Sequence, residues 1–167
     1  MTAPQPLNVL FLCTHNSARS ILAEALLNHL GNGRFKAYSA GSSPRENQQP
    51  NPLGLQVLQH AGIATDGLRS KSWDAFSGPD APHMDLIITV CDNAAGEVCP
   101  VWPGHPATAH WGYADPSERP GSDTDKLEAF RSTLYAMRRR LELMLSLPAD
   151  KLEKALLQTT ARELSAS

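Results

Sequence analysis

Cys13-Thr14-His15-Asn16-Ser17-Ala18-Arg19-Ser20 places a thiol and a guanidinium on either side of five residues. Such a loop can curl so that successive backbone N–H groups converge on one point, where a tetrahedral oxyanion fits. Thr14, His15, Asn16, Ser17, Ala18, Arg19 and Ser20 are the candidate oxyanion-binding residues. Arg19 offers a planar fork matched to two oxyanion oxygens. Partial positive charge at a following helix N-terminus, added to Arg19, should lower the Cys13 pKa and make its thiolate a nucleophile at neutral pH. Ser20 is placed to donate a hydrogen bond to that thiolate, Asn16 to hold the loop shape, and His15 to favour the thiolate or touch the anion. A buried cysteine beside a helix cap is the plain alternative.

Two further stretches bear on the same chemistry. Nucleophilic attack on an oxyanion needs an acid to protonate the departing oxygen. Asp115, in Asp115-Pro116, is the candidate, although an Asp-Pro step is also an ordinary turn. In the third stretch, Cys91 and Cys99 are separated by seven residues. On a continuous helix they would lie about 12 Å apart, beyond the roughly 7 Å Cα limit of a disulfide, so they can bridge only if the segment loops. Gly96 and Pro100 suit a loop, while two small buried hydrophobes remain an alternative. The spacing is too long for a Cys-x-x-Cys redox pair and lacks the paired ligands of zinc.

What could bring these residues together is an alternation of strands and helices. Leu7 to Leu12 is an apolar run interrupted only by Asn8, as in a strand buried on both faces. Ala18, Ile21, Leu22, Ala25, Leu26 and Leu30 then recur at helical spacing, with Gly31-Asn32-Gly33 as a stop. Further strands are expected at Phe35–Ala40, Asp85–Val90 and Ala107–His110, a helix at Leu53–Ala61, and a short helical piece at Trp73–Phe76. Leu127, Phe130, Leu134, Met137, Leu141 and Met144 predict the longest helix, with Asp125 and Glu128 as its capping box. Pro148 ends that pattern, and Ala149–Leu164 reads as a separate amphipathic helix. The order implies an α/β fold, a doubly wound parallel sheet whose ligands bind beyond the carboxyl ends of the strands. Cys13 and Cys91 both follow strands at that edge.

Composition narrows the class of function. The chain has 167 residues and a net charge of −2, with 15 Lys and Arg against 17 Asp and Glu. One domain is expected, able to fold without disulfides or a structural metal. Apart from Arg138-Arg139-Arg140 there is no basic stripe, which argues against nucleic acid as a partner. Neither a signal peptide nor a membrane span is read at the N-terminus, so a cytoplasmic location is expected, where thiols stay reduced unless catalytic.

CTHNSARS after VLFL, YSAG at 38–41, DLIITVC at 85–91, Cys99-Pro100 and HWGYADP at 110–116 together resemble the arsenate reductases built on the low-molecular-weight protein tyrosine phosphatase fold. The resemblance covers about residues 7–147, leaving 148–167 as a C-terminal helical extension. It implies a four-stranded parallel sheet flanked by helices and a relay of three thiols. Cys13 would attack arsenate held by Arg19 while Asp115 protonates the leaving hydroxyl. Cys91 would displace arsenite to give a Cys13–Cys91 disulfide, and Cys99 would resolve it to Cys91–Cys99. No bound redox cofactor is implied; the external reductant would be thioredoxin, or glutathione with glutaredoxin. Some members hold a potassium ion through residues matching Asn16, Glu24 and Ser39. The rival is a phosphotyrosine phosphatase, using Cys13, Arg19 and Asp115 identically. Against it, Ser117-Glu118-Arg119 replaces the tyrosine pair of those phosphatases, Ala18 stands where they usually carry a second cysteine, and Cys91 and Cys99 would be idle.

Overall fold

The computed structural model describes residues 6–31, 33–92, 96–98 and 107–146. Cys99 and the expected Ala149–Leu164 helix lie outside them. Four strands form one parallel sheet in the order β2-β1-β3-β4: β1 Leu7–Cys13, β2 Phe35–Gly41, β3 Leu86–Thr89 and β4 Ala107–His110. Among the described residues three α-helices accompany it, α1 Arg19–Leu30, α2 Pro52–His60 and α3 Asp123–Leu145, with 3-10 turns at Trp73–Phe76 and Pro116–Glu118. The expected order of strands and helices is therefore present, and with it the four-stranded α/β sheet.

β1 is central because both of its faces are apolar. Val9, Phe11 and Cys13 point into a large cluster with Leu22, Leu26 and Leu27 of α1, Val57 and Leu58 of α2, and the Phe130-Leu134-Met137-Leu141-Met144 stripe of α3. Leu10 and Leu12 point the other way, into a smaller cluster with Ala40, Met84 and Ile87, flanked by Tyr38, Trp73 and Phe76. Each fully buried large apolar side chain contributes roughly 1.5–3 kcal/mol over its exposed state. Registers Cys13↔Gly41 and Leu12↔Thr89 bring the ends of β1, β2 and β3 level. The Val90 N–H donates to the Leu12 carbonyl at 3.0 Å, extending the pairing to the residue before Cys91. Among the described residues, no helix is long and apolar enough to cross a membrane.

Helix starts differ in detail from expectation. Pro52 is the first residue of α2, with Asn51 as its cap accepting from the Leu53 N–H. The capping box of α3 is Ser122 with Asp125, not Asp125 with Glu128. Asp125 Oδ2 accepts from the Ser122 N–H at 3.0 Å, while Glu128 pairs with Arg131 one turn further on. The apolar stripe begins at Leu127, but the helix begins a turn earlier on exposed residues. Ser122→Ala should cost about 1 kcal/mol, a fall in Tm of about 2–4 °C by calorimetry for a domain of this size.

Candidate active site

β1 ends at Cys13, and α1 begins at Arg19 without a side-chain cap on Ala18. The intervening loop is fixed from behind. The Ser42 N–H donates to the Cys13 carbonyl at 3.1 Å, and the Ser43 N–H to the Thr14 carbonyl at 2.9 Å. Asn51 N–H reaches the Ser17 carbonyl at 2.8 Å, tying the loop to the start of α2. Gly41 lies against its backbone, so close that an added Cβ would sit 2.6 Å from the Thr14 carbonyl oxygen.

Asn16 is the pivot of the loop. Its φ of 55° is left-handed, a conformation asparagine tolerates better than most residues. Fully buried, its amide donates to Ser20 Oγ at 2.8 Å and to Ser39 Oγ at 2.9 Å, and its carbonyl accepts from the Lys71 N–H at 3.0 Å. Ser39 in turn donates to Glu24, whose carboxylate lies 3.7 Å from the Lys71 ammonium. Burial pushes the Glu24 carboxyl up and the Lys71 ammonium down, and each partly restores the charge of the other. Asn16, Glu24 and Ser39 thus meet, as the resemblance implies for a potassium site. These groups are already satisfied by one another and by a protein cation, so no step is assigned to a bound ion.

That arrangement changes the expected role of Ser20. Among the described residues its hydroxyl is held by Asn16, and no hydrogen bond joins it to Cys13. The Thr14 N–H is instead the group that favours the Cys13 thiolate from close range. His15 bonds the Ser43 carbonyl at 3.0 Å through Nδ1, which must therefore carry the proton, and the ring lines the mouth of the site.

Arg19 is almost entirely buried and points its fork beyond the sheet edge. Nη1 donates to Glu97 Oε2 at 2.6 Å and to the Tyr113 carbonyl at 2.8 Å, and Nη2 donates to Glu97 Oε1 at 2.6 Å. Asp115 Oδ2 is 3.6 Å from Nη2. Among the described residues Arg19 Nε finds no hydrogen-bond partner, a spare donor beside the cradle. Burial opposes the Arg19 charge, but Glu97, Cys13 and Asp115 outweigh it and hold the proton more firmly than usual.

The thiol titrates against expectation. Burial of Cys13 raises its pKa, and this exceeds the lowering by Arg19 and the Thr14 N–H. Glu97 and Asp115 raise it further. The expectation of a lowered pKa counted the guanidinium as an unopposed charge; here a carboxylate already faces it. Glu97 itself is held ionised, chiefly by its hydrogen bonds to Arg19, against some desolvation.

Asp115 caps the turn Pro116–Glu118. Its Oδ1 accepts from the Ser117 N–H at 3.0 Å and from Ser117 Oγ at 2.7 Å, leaving Oδ2 toward Arg19. Asp115 also borders a cleft with His15, Ser17, Asn51 and Glu97, so the expected acid stands at the opening of the cradle. Cys91 is fully buried beyond β3 in the same core cluster as Cys13. Its sulfur is in a disulfide, whereas Cys13 is a free thiol. Spacing in the sequence does not point to Glu97, Tyr113 or Lys71. An acidic residue inside the Cys91 to Cys99 interval was the only signal of Glu97.

Several known proteins share this arrangement of elements. The family model for low molecular weight phosphotyrosine protein phosphatase matches residues 8–157. An arsenate reductase of Bacillus licheniformis is 38% identical over 125 residues, 74% of this chain and 84% of that protein. Among solved structures, the arsenate reductase of Archaeoglobus fulgidus superposes with a TM-score of 0.67 at 27% identity, over 83% of this chain and 99% of that one. The thioredoxin-dependent arsenate reductase of Corynebacterium glutamicum gives a TM-score of 0.52 at 26% identity, over 85% of this chain and 65% of that one.

Proposed function

The chain belongs to the low molecular weight phosphotyrosine protein phosphatase family, as an enzyme of its arsenate reductase branch, and we propose that it reduces arsenate to arsenite by a relay of its three cysteines. The observation that carries this reading is the meeting of Cys13 and Arg19 at the sheet edge, with a second cysteine, Cys91, in the same core cluster and already in a disulfide. A hydrolytic phosphatase has no use for that second sulfur.

In the first step the Cys13 sulfur attacks arsenic while Arg19 and the N–H groups of residues 14–19 hold the oxygens. Asp115 gives its proton to the departing hydroxyl, which leaves as water. Cys91 then attacks the Cys13 sulfur of the adduct; a sulfur–sulfur bond forms, and the sulfur–arsenic electron pair stays on arsenic. Arsenic(V) becomes arsenic(III), and two thiols become one disulfide. Cys99 attacks Cys91 to give Cys91–Cys99, freeing Cys13. A disulfide at Cys91 beside a free Cys13 supports this order of steps. An external dithiol closes the cycle, and the Corynebacterium glutamicum relative favours thioredoxin over glutathione with glutaredoxin. Such a relay belongs in a reducing compartment, the cytoplasm. The 148–167 extension is given no part in it.

The test uses reduced protein freed of reductant, mixed with arsenate. It should release one arsenite per chain and leave a Cys91–Cys99 bridge by mass spectrometry. Cys91→Ser should stop at the Cys13 adduct, and Cys99→Ser at a Cys13–Cys91 disulfide. Hydrolysis of aryl phosphates with no arsenite formed would overturn the reading in favour of a phosphatase.

A further inference from the structure

Glu97 occupies the place a substrate would need. Both terminal nitrogens of Arg19 donate to its two carboxylate oxygens at 2.6 Å, the fork-on-fork arrangement that guanidinium makes with an oxyanion. With Nη1 also on the Tyr113 carbonyl, Nε is the one Arg19 nitrogen left without a partner among the described residues. A tetrahedral dianion cannot take the fork while Glu97 holds it, and the two negative charges would repel each other across it.

The carboxylate is also fastened to the segment that carries the disulfide. Glu97 Oε2 accepts from the Asp92 N–H at 2.9 Å, so the side chain is fastened to the residue after Cys91. Cys91 is in a disulfide in this same arrangement. A quarter of the Glu97 side chain is exposed, and it faces the cleft at the site mouth, so withdrawal into water costs it little desolvation. Arg19 stays buried behind it.

We infer that Glu97 is an internal surrogate for the substrate oxyanion, seated in the Arg19 fork while Cys91 is in its disulfide and withdrawn when that disulfide is reduced. This rests on the reading of the cradle as the oxyanion site. Oxyanion then binds well only to the reduced protein, which alone has the thiols to process it. Oxidised protein meets its reductant without substrate competing for the site.

The test places Cys13→Ser in every protein, so that an oxidant can join only Cys91 and Cys99 and a failed relay does not alter the oxidation state. Inorganic phosphate is titrated calorimetrically into reduced and diamide-oxidised forms, with Glu97 and with Glu97→Gln. The protein with Glu97 should bind phosphate at least about tenfold more weakly when oxidised, the loss expected for competition by a charged bidentate pair. Glu97→Gln should bring the oxidised form to within about threefold of the reduced one, because replacing one carboxylate oxygen by an amide NH2 removes the charge and half of the accepting pair. Equal affinities in both redox states with Glu97 present would overturn the inference, as would equal strengthening of both states by Glu97→Gln, the signature of through-space charge alone. Arsenite release in the earlier test combined with either result would leave the reductase reading standing and sink Glu97 alone. Absence of phosphate binding in all four proteins would overturn the cradle and this inference together.

Discussion

Arg19→Lys should lower kcat/KM for arsenate by about 10²- to 10³-fold, the range seen when a preorganised oxyanion donor is lost. The charge is kept, so the expectation rests on geometry. Arg19 presents Nη1 and Nη2 side by side to the two Glu97 oxygens and at the same time donates to the Tyr113 carbonyl. An ammonium is one point with three rotatable donors, and it cannot present two parallel N–H groups to two oxygens while holding that carbonyl. The Tyr113 carbonyl then loses its donor, which by itself costs about 1–3 kcal/mol if it stays buried. Steady-state kinetics and a thermal melt on the same preparation separate the two effects. A folded Arg19→Lys protein with near-normal kcat/KM would mean that only charge, not the fork, binds the substrate.

What the sequence makes legible divides along a physical line. Cys13, Arg19 and the strand-to-helix loop can be read because the features that mark them are local, an apolar run, a five-residue gap and a helical period, although the contacts that seat the loop come from β2 and the start of α2. Cys91 can be placed because a buried parallel strand leads to it and parallel strands end on one edge. Glu97 in the Arg19 fork is a contact across 78 residues, decided by how a loop folds back, and no period or spacing encodes it. The sign of the Cys13 shift is hidden from the sequence for the same reason. The positive groups near it are local and visible in sequence, whereas the burial and the opposing carboxylates that outweigh them come from tertiary packing. Lys71 behind the cradle is a third case, since Glu24 alone reads as a solvated helix residue until Ser39 and Lys71 are brought to it by β2 and the segment after α2.

Gly41→Ala should damage catalysis more than folding, although Gly41 touches no reacting atom. It is the last residue of β2, paired with Cys13 in register. A Cβ there would meet the Thr14 oxygen at 2.6 Å, the His15 carbonyl carbon at 2.9 Å and the Asn16 nitrogen at 3.0 Å. All three are backbone atoms of the cradle, so no side chain can rotate away to make room. The loop itself must move by several tenths of an ångström or more, and its N–H groups with it. Displacements of about 1 Å in a positioned site cost on the order of 10²-fold in rate, while a single added methyl in a packed region costs about 1–3 kcal/mol of stability. Gly54→Ala is the matched control: its Cβ would press on Phe130 Cε1 at 3.2 Å in the core, away from the loop. Gly41→Ala should lower Tm, whereas at Gly54, inside α2, the helix propensity gained by Ala opposes the press on Phe130; only Gly41→Ala should reduce kcat/KM for arsenate and weaken phosphate binding. Equal loss of activity in the two variants would assign the effect to general destabilisation, and the tight seat of the cradle on β2 would then have no part in catalysis.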